Sequence, residues 1–119
     1  MLTALLLVFT PPAIASPGDV EGTWLSADGD GLIRISVVGN ELRGTILGSP
    51  NEDPDREEFD VHNPDPSLRG RKLVGLDIIT GFQYDGDGKW SGGQIYDPNS
   101  GKTYRGKIRL VERHKLHLR

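Results

Sequence analysis

Apolar and polar residues alternate one by one along most of this chain, and that pattern dictates sheet. Ile33, Ile35 and Val37 fall on one side of a segment whose other side carries Arg34 and Ser36. Leu42, Gly44 and Ile46 alternate with Arg43 and Thr45, and Val74, Leu76 and Ile78 with Gly75 and Asp77. Tyr104, Gly106, Ile108 and Leu110 alternate with Arg105, Lys107 and Arg109, and Leu116 and Leu118 repeat the pattern. Successive side chains on a strand point to opposite faces, so each segment buries one row and wets the other. No segment keeps apolar residues at helical spacing for more than a turn.

Turn residues separate these segments. Asp-Gly pairs at 28–31 and 85–88 supply the positive φ that tight connections need. Val38-Gly39-Asn40 and Asp97-Pro98-Asn99-Ser100-Gly101 mark two further hairpins. The spacing predicts strands near 20–26, 32–38, 41–47, 73–84, 89–96, 102–111 and 115–119. Consecutive strands joined by short turns make an antiparallel up-and-down meander, and such all-β meanders commonly close into a small barrel.

Residues 1–15 read as a signal peptide: Leu2 and Ala4–Phe9 are apolar, Pro11 and Pro12 break the run, and Ala13-Ile14-Ala15 is a cleavage signature before Ser16. The run is too short to span a bilayer, which takes about 20 residues. A periplasmic or secreted location is expected, with cleavage after Ala15, leaving 16–119 as a single domain that does not span the membrane. All 14 Lys and Arg and all 17 Asp and Glu follow that site, so the folded part carries a net charge of −3. A mildly acidic chain is a poor nucleic-acid binder, which needs a basic footprint to displace counterions. The absence of cysteine removes disulfides, thiolate metal sites and a cysteine nucleophile.

A long connection at 48–72 interrupts the meander. Its first half is acidic (Glu52, Asp53, Asp55, Glu57, Glu58, Asp60) and its end is basic (Arg69, Arg71, Lys72). Loops of this length are solvated connections or functional covers. The functional alternative is a lid over one barrel mouth, with its basic end facing an anionic group.

The run Trp90–Tyr104, WSGGQIYDPNSGKTY, is the most specific wording in the chain. Strand alternation puts Trp90, Gln94 and Tyr96 on one face with Gly92, and Tyr104 opens the next strand. Two adjacent glycines predict bending or close approach of a neighbour. This run reads as the wall of a filled barrel or, alternatively, as an amphipathic pocket with Gln94, Tyr96 or Tyr104 as oriented polar groups. Arg69 is a further candidate ligand contact. Catalytic motifs are lacking: Ser91 has no base partner, and His62, His114 and His117 do not converge as metal ligands. No metal or cofactor is expected.

Gly22-Thr23-Trp24 at the start of the first strand resembles the lipocalin signature, in which the glycine permits a tight bend and the tryptophan plugs the barrel end. Together with NPDPSLRGRKLVGL (63–76) and W-x-G-G-x-I-Y-D-P-x-x-G-K-T-Y (90–104), it is similar to the bacterial exported family known as domain of unknown function 2147. That resemblance implies a lipocalin-like barrel in the periplasm and no particular activity. Members similar to this chain continue past the Leu116–Arg119 segment with a strand worded R-x-x-x-W-x-R. The resemblance therefore implies a last C-terminal strand lacking here, an incompletely closed barrel, and an edge open to a partner strand or a dimer.

The expected function is binding of a small amphipathic or apolar ligand without catalysis. The alternative is a cell-envelope structural or interaction module using an exposed sheet edge or the acidic loop. A hydrolase or isomerase using Asp77 or Asp97 with a tyrosine ranks last, for want of a matched acid and base.

Overall fold

The computed structural model describes residues 17–26, 29, 31–49, 57–112 and 115–118. The proposed signal peptide and the acidic residues Glu52, Asp53 and Asp55 lie outside them, as does His114. Seven antiparallel strands form one sheet in chain order: β1 (Gly22–Leu25), β2 (Leu32–Val38), β3 (Glu41–Gly48), β4 (Asp77–Gly86), β5 (Lys89–Asp97), β6 (Lys102–Glu112) and β7 (Lys115–Leu118). The all-β up-and-down meander is as the alternation predicts. Among the described residues β1 and β7 each pair on one side only, so the sheet is not closed.

Among the described residues the hairpin turns from Val38 onward form where the sequence places them. Asp87 and Gly88 both have positive φ (55° and 73°), the pattern of a type I′ hairpin that joins β4 to β5 without splaying them. The start of β4 differs from the alternation: Val74, Leu76 and Ile78 do not share a strand. Leu76 closes a turn onto Leu73, and Val74 is left exposed. Gly75 and Leu76 still hold β3, through hydrogen bonds with the backbone of Ile46.

One face of the sheet carries the core. Ile35, Leu42, Ile79, Phe82, Trp90, Ile108 and Leu110 are each no more than 4% exposed, and Val20 joins them from the 3-10 turn Pro17–Val20. Trp24 packs partly buried against this cluster, and its indole N–H donates to the Val20 carbonyl at 2.8 Å.

Trp90 is fully buried beside Tyr84, ring centroids 5.0 Å apart, and its indole N–H has no hydrogen-bond partner among the described residues. A buried donor left unpaired costs about 1–3 kcal/mol. Trp90→Phe removes that donor, so it is expected to change unfolding free energy by no more than about 1 kcal/mol, against about 3–5 kcal/mol for Phe82→Ala. Urea denaturation of the two variants checks the contrast.

The glycines of WSGG are a kink. Ser91 pairs with Lys107, but the next register pair is Gly93 with Gly106, so Gly92 is an extra residue on β5. Gly92 has φ +83°, and Gly81 across on β4 has φ +76°. A Cβ on Gly93 would collide with the Phe82 ring, so only glycine lets that ring lie against β5. A bulge of one residue inverts the facing of everything beyond it. The shared face expected for Trp90, Gln94 and Tyr96 is therefore wrong. Trp90 points into the core, whereas Gln94 and Tyr96 lie on the opposite face.

Candidate functional site

The 57–76 segment folds back on itself and lies over that opposite face. Glu58–Asp60 runs antiparallel to Arg71–Leu73: the Asp60 N–H donates to the Arg71 carbonyl at 3.0 Å, and Leu73 N–H to Glu58 at 2.9 Å. The reversal between them is set by the wording Asn63-Pro64-Asp65-Pro66. Asp65 caps the 3-10 turn Pro66–Leu68, accepting from the Ser67 N–H at 3.0 Å and the Ser67 hydroxyl at 2.7 Å. Pro66, with no N–H to lose, suits that first position. Asn63 Oδ1 accepts from the Asp65 N–H, and its carbonyl from Arg69 Nε, both at 2.8 Å.

Asp60 is the centre of this arrangement. It is fully buried and accepts three side-chain hydrogen bonds: Tyr96 OH at 2.5 Å on Oδ1, and Asn63 Nδ2 at 2.8 Å and Arg71 Nε at 3.0 Å on Oδ2. A buried carboxylate is tolerated only when so satisfied. Arg71 also lies over the Tyr96 ring, 6.0 Å from its centroid, near the limit of a cation–π contact.

A second joint lies at the tip of the β5–β6 hairpin. Asp97 organises the turn, accepting from Asn99 N–H and Ser100 Oγ at 2.9 Å while its carbonyl accepts from Gly101 N–H at 2.8 Å. Gly101 is buried with φ +75°, and a Cβ there would strike the His62 carbonyl oxygen. The two longest sequence motifs of the chain thus meet, NPDPSLRGRK seated on IYDPNSGK.

Between segment and sheet lies a cleft of about 210 Å³. Ile78, Thr80, Gln94 and Tyr96 line its sheet side, and Asn63, Pro64 and Arg71 its other side, with Asp77 and Thr103 alongside. Ile78, buried beneath the segment, supplies an apolar patch among amides and hydroxyls. Asp77 accepts from the Thr45 hydroxyl at 2.6 Å. Among the described residues no hydrogen bond uses the terminal amino groups of Arg71; only its Nε is engaged.

Burial alone would push the Asp60 carboxyl up, but the hydrogen bonds from Tyr96, Asn63 and Arg71 outweigh it and hold the pKa below its ordinary value. Burial and the Asp60 charge push the Tyr96 phenol up. The signs follow from linkage. The Asp60 contribution is complete above its unfolded pKa of about 3.9 and is lost as pH falls through the lower folded value. The Tyr96 contribution is complete below about 10 and is lost as pH rises through its raised value. Thermal melts across pH are expected to show an acid-side loss of stability that is smaller in Asp60→Asn.

Of the expected site residues, Gln94 and Tyr96 meet in the cleft. Trp90 lies in the core. Tyr104, across from Ile95 on the core-side row and 49% exposed, does not line the cleft. Arg69 is exposed and holds the Asn63 carbonyl rather than lining the cleft. The basic end of the loop faces protein carboxylates: Arg71 meets Asp60, and Lys72 meets Glu57 at 2.8 Å. Asp60, Asn63 and Arg71 were not singled out as site residues by sequence; the wording of 63–71 is the signal that pointed nearest to them. Among the described residues no three metal-ligating side chains cluster, and no helix is long and apolar enough to cross a membrane.

These features define a lipocalin-like β-meander with a folded segment strapped across one face. Protein HP1028 from the human pathogen Helicobacter pylori, a member of the lipocalin family, shares the fold, with a TM-score of 0.68 at 20% sequence identity. The match covers 81% of this chain and 65% of that one, so the chain spans less than two thirds of the H. pylori protein. The chain belongs to the family described as "Uncharacterized protein conserved in bacteria (DUF2147)", which matches residues 22–119. No curated protein matches it significantly.

Proposed function

We propose that this chain is an exported, non-catalytic binding protein that holds a small amphipathic molecule in the cleft beneath the 57–76 segment. The observation that carries this reading is the cleft itself, a compact space walled by Gln94, Thr80, Asn63 and Arg71 around Ile78 and the Tyr96 ring. Its 210 Å³ falls below the roughly 300–1,000 Å³ of sites for drug-sized ligands. The ligand is therefore small, or enters with one polar end only. The buried Asp60 cluster fixes the cleft walls in advance, which lowers the ordering cost of binding.

Native mass spectrometry of protein taken from a periplasmic extract tests this. A bound small molecule should accompany the wild-type chain, which should begin at Ser16, and be absent from Gln94→Trp, in which the indole fills the cleft from an exposed sheet position. Identical spectra, or no adduct on wild type, would sink the reading.

The one-sided pairing of β1 favours a second reading, addition of a partner strand at the Gly22–Leu25 edge. The chain has no cysteine, so Thr23→Cys introduces a single reporter on this strand. Disulfide-linked dimers at micromolar protein support the second reading, and a purely monomeric thiol removes its self-association form.

A further inference from the structure

The outward face of the β5–β6 hairpin carries four cations in an otherwise acidic protein. Arg105, Lys107 and Arg109 are exposed at alternate positions of β6, and Lys89 lies directly across from Arg109 on β5. Alternate strand residues are about 6.8 Å apart, so the three β6 cations span about 14 Å in a line. Among the described residues none of the four has a carboxylate partner. Asp85, the nearest carboxylate on β4 by register, is held by the Ser91 hydroxyl at 2.5 Å. Like charges directly opposite on neighbouring strands destabilise a sheet, yet Lys89 and Arg109 are so placed. An external anionic surface would offset that cost.

We propose that this face docks the protein on an anionic lipid bilayer. Beside the cations on β5 stand Ser91, Gly92 and Gln94, small or polar groups that do not screen the charges, while the 57–76 segment is seated toward the Tyr96 and Thr103 end of the same face. A nucleic acid fits less well. Proteins that hold single strands stack bases on exposed aromatic side chains, and the aromatic on this side of β5, Tyr96, is tied to Asp60 beneath Arg71. The contact is electrostatic, with each cation near the surface contributing roughly fivefold to partitioning and salt screening it within about 10 Å. In this position the cleft, which shares Gln94 with Arg105 as a register pair, opens beside the bilayer.

Co-sedimentation of the full chain with vesicles tests this. Binding is expected to vesicles of phosphatidylglycerol with phosphatidylcholine, to be absent with phosphatidylcholine alone, and to fall steeply with salt. The Arg105→Gln, Lys107→Gln, Arg109→Gln triple variant should lose roughly a hundredfold. A charge-matched Arg34→Gln, Arg43→Gln, Lys72→Gln variant should lose much less. Arg105→Lys with Arg109→Lys should keep binding, which separates lost charge from lost fold. Equal losses in both triple variants, no difference between the two vesicle types, or displacement by an equal concentration of single-stranded oligonucleotide would overturn the proposal.

Discussion

Asp60→Ala is expected to lower the unfolding free energy by about 4 kcal/mol, because it removes one partner from a buried ion pair and leaves three donors facing a void. Tyr96 OH, Asn63 Nδ2 and Arg71 Nε all end on this carboxylate, which is completely shielded from water. Arg71 keeps 39% of its side chain exposed, so its charge can recover some hydration, which keeps the loss within the usual range for such pairs. Asp60→Asn should cost only about 1–2 kcal/mol. A flipped amide can accept from Asn63 and Arg71 and donate to the Tyr96 oxygen, so charge assistance and the acceptor for the Tyr96 proton are lost while the other two donors stay paired. Guanidinium denaturation of both variants measures the gradation, and equal losses would contradict it.

Gly101→Ala is the second large effect, expected at about 2–4 kcal/mol. Two causes add: a left-handed backbone that alanine disfavours, and a Cβ driven into the His62 carbonyl. The neighbour is backbone, so the strain is relieved by lifting the 60–64 segment off the hairpin. Trypsin should then cut faster at Arg69 or Arg71 while far-ultraviolet circular dichroism keeps the sheet signal. Gly75→Ala is the control. It has φ +90° with nothing within 4 Å, so it should show the backbone penalty of about 1–2 kcal/mol without the change in proteolysis.

Strand and turn positions were legible because they rest on local chemistry. Asp87-Gly88 adopts positive φ whatever surrounds it, and the alternation of β6 needs no knowledge of its neighbours. Two kinds of feature escaped. Facing beyond Gly92 depends on a bulge, and the pair Gly92-Gly93 announces close approach without saying which residue is the extra one. The Phe82 ring answers that, and it comes from another strand. The loop misled for a different reason. Asp60 read as one carboxylate in an acidic run, yet its partner Tyr96 lies 36 residues away. Burial of a charge is decided by such long-range donors, which residue spacing does not reveal. Val74 misled as well: its alternation with Leu76 and Ile78 continues a strand on paper, while the chain turns there, Leu76 bonding back to Leu73.

The central claim is that Asp60 and Tyr96 act together to strap the 57–76 segment over the cleft. A double-mutant cycle with Asp60→Ala and Tyr96→Phe, read by equilibrium denaturation, tests it most directly. Contacting groups of this kind couple by about 1–2 kcal/mol, and that is the expected result. Additive losses, with coupling indistinguishable from zero, would mean that the segment is not held to the sheet through this pair.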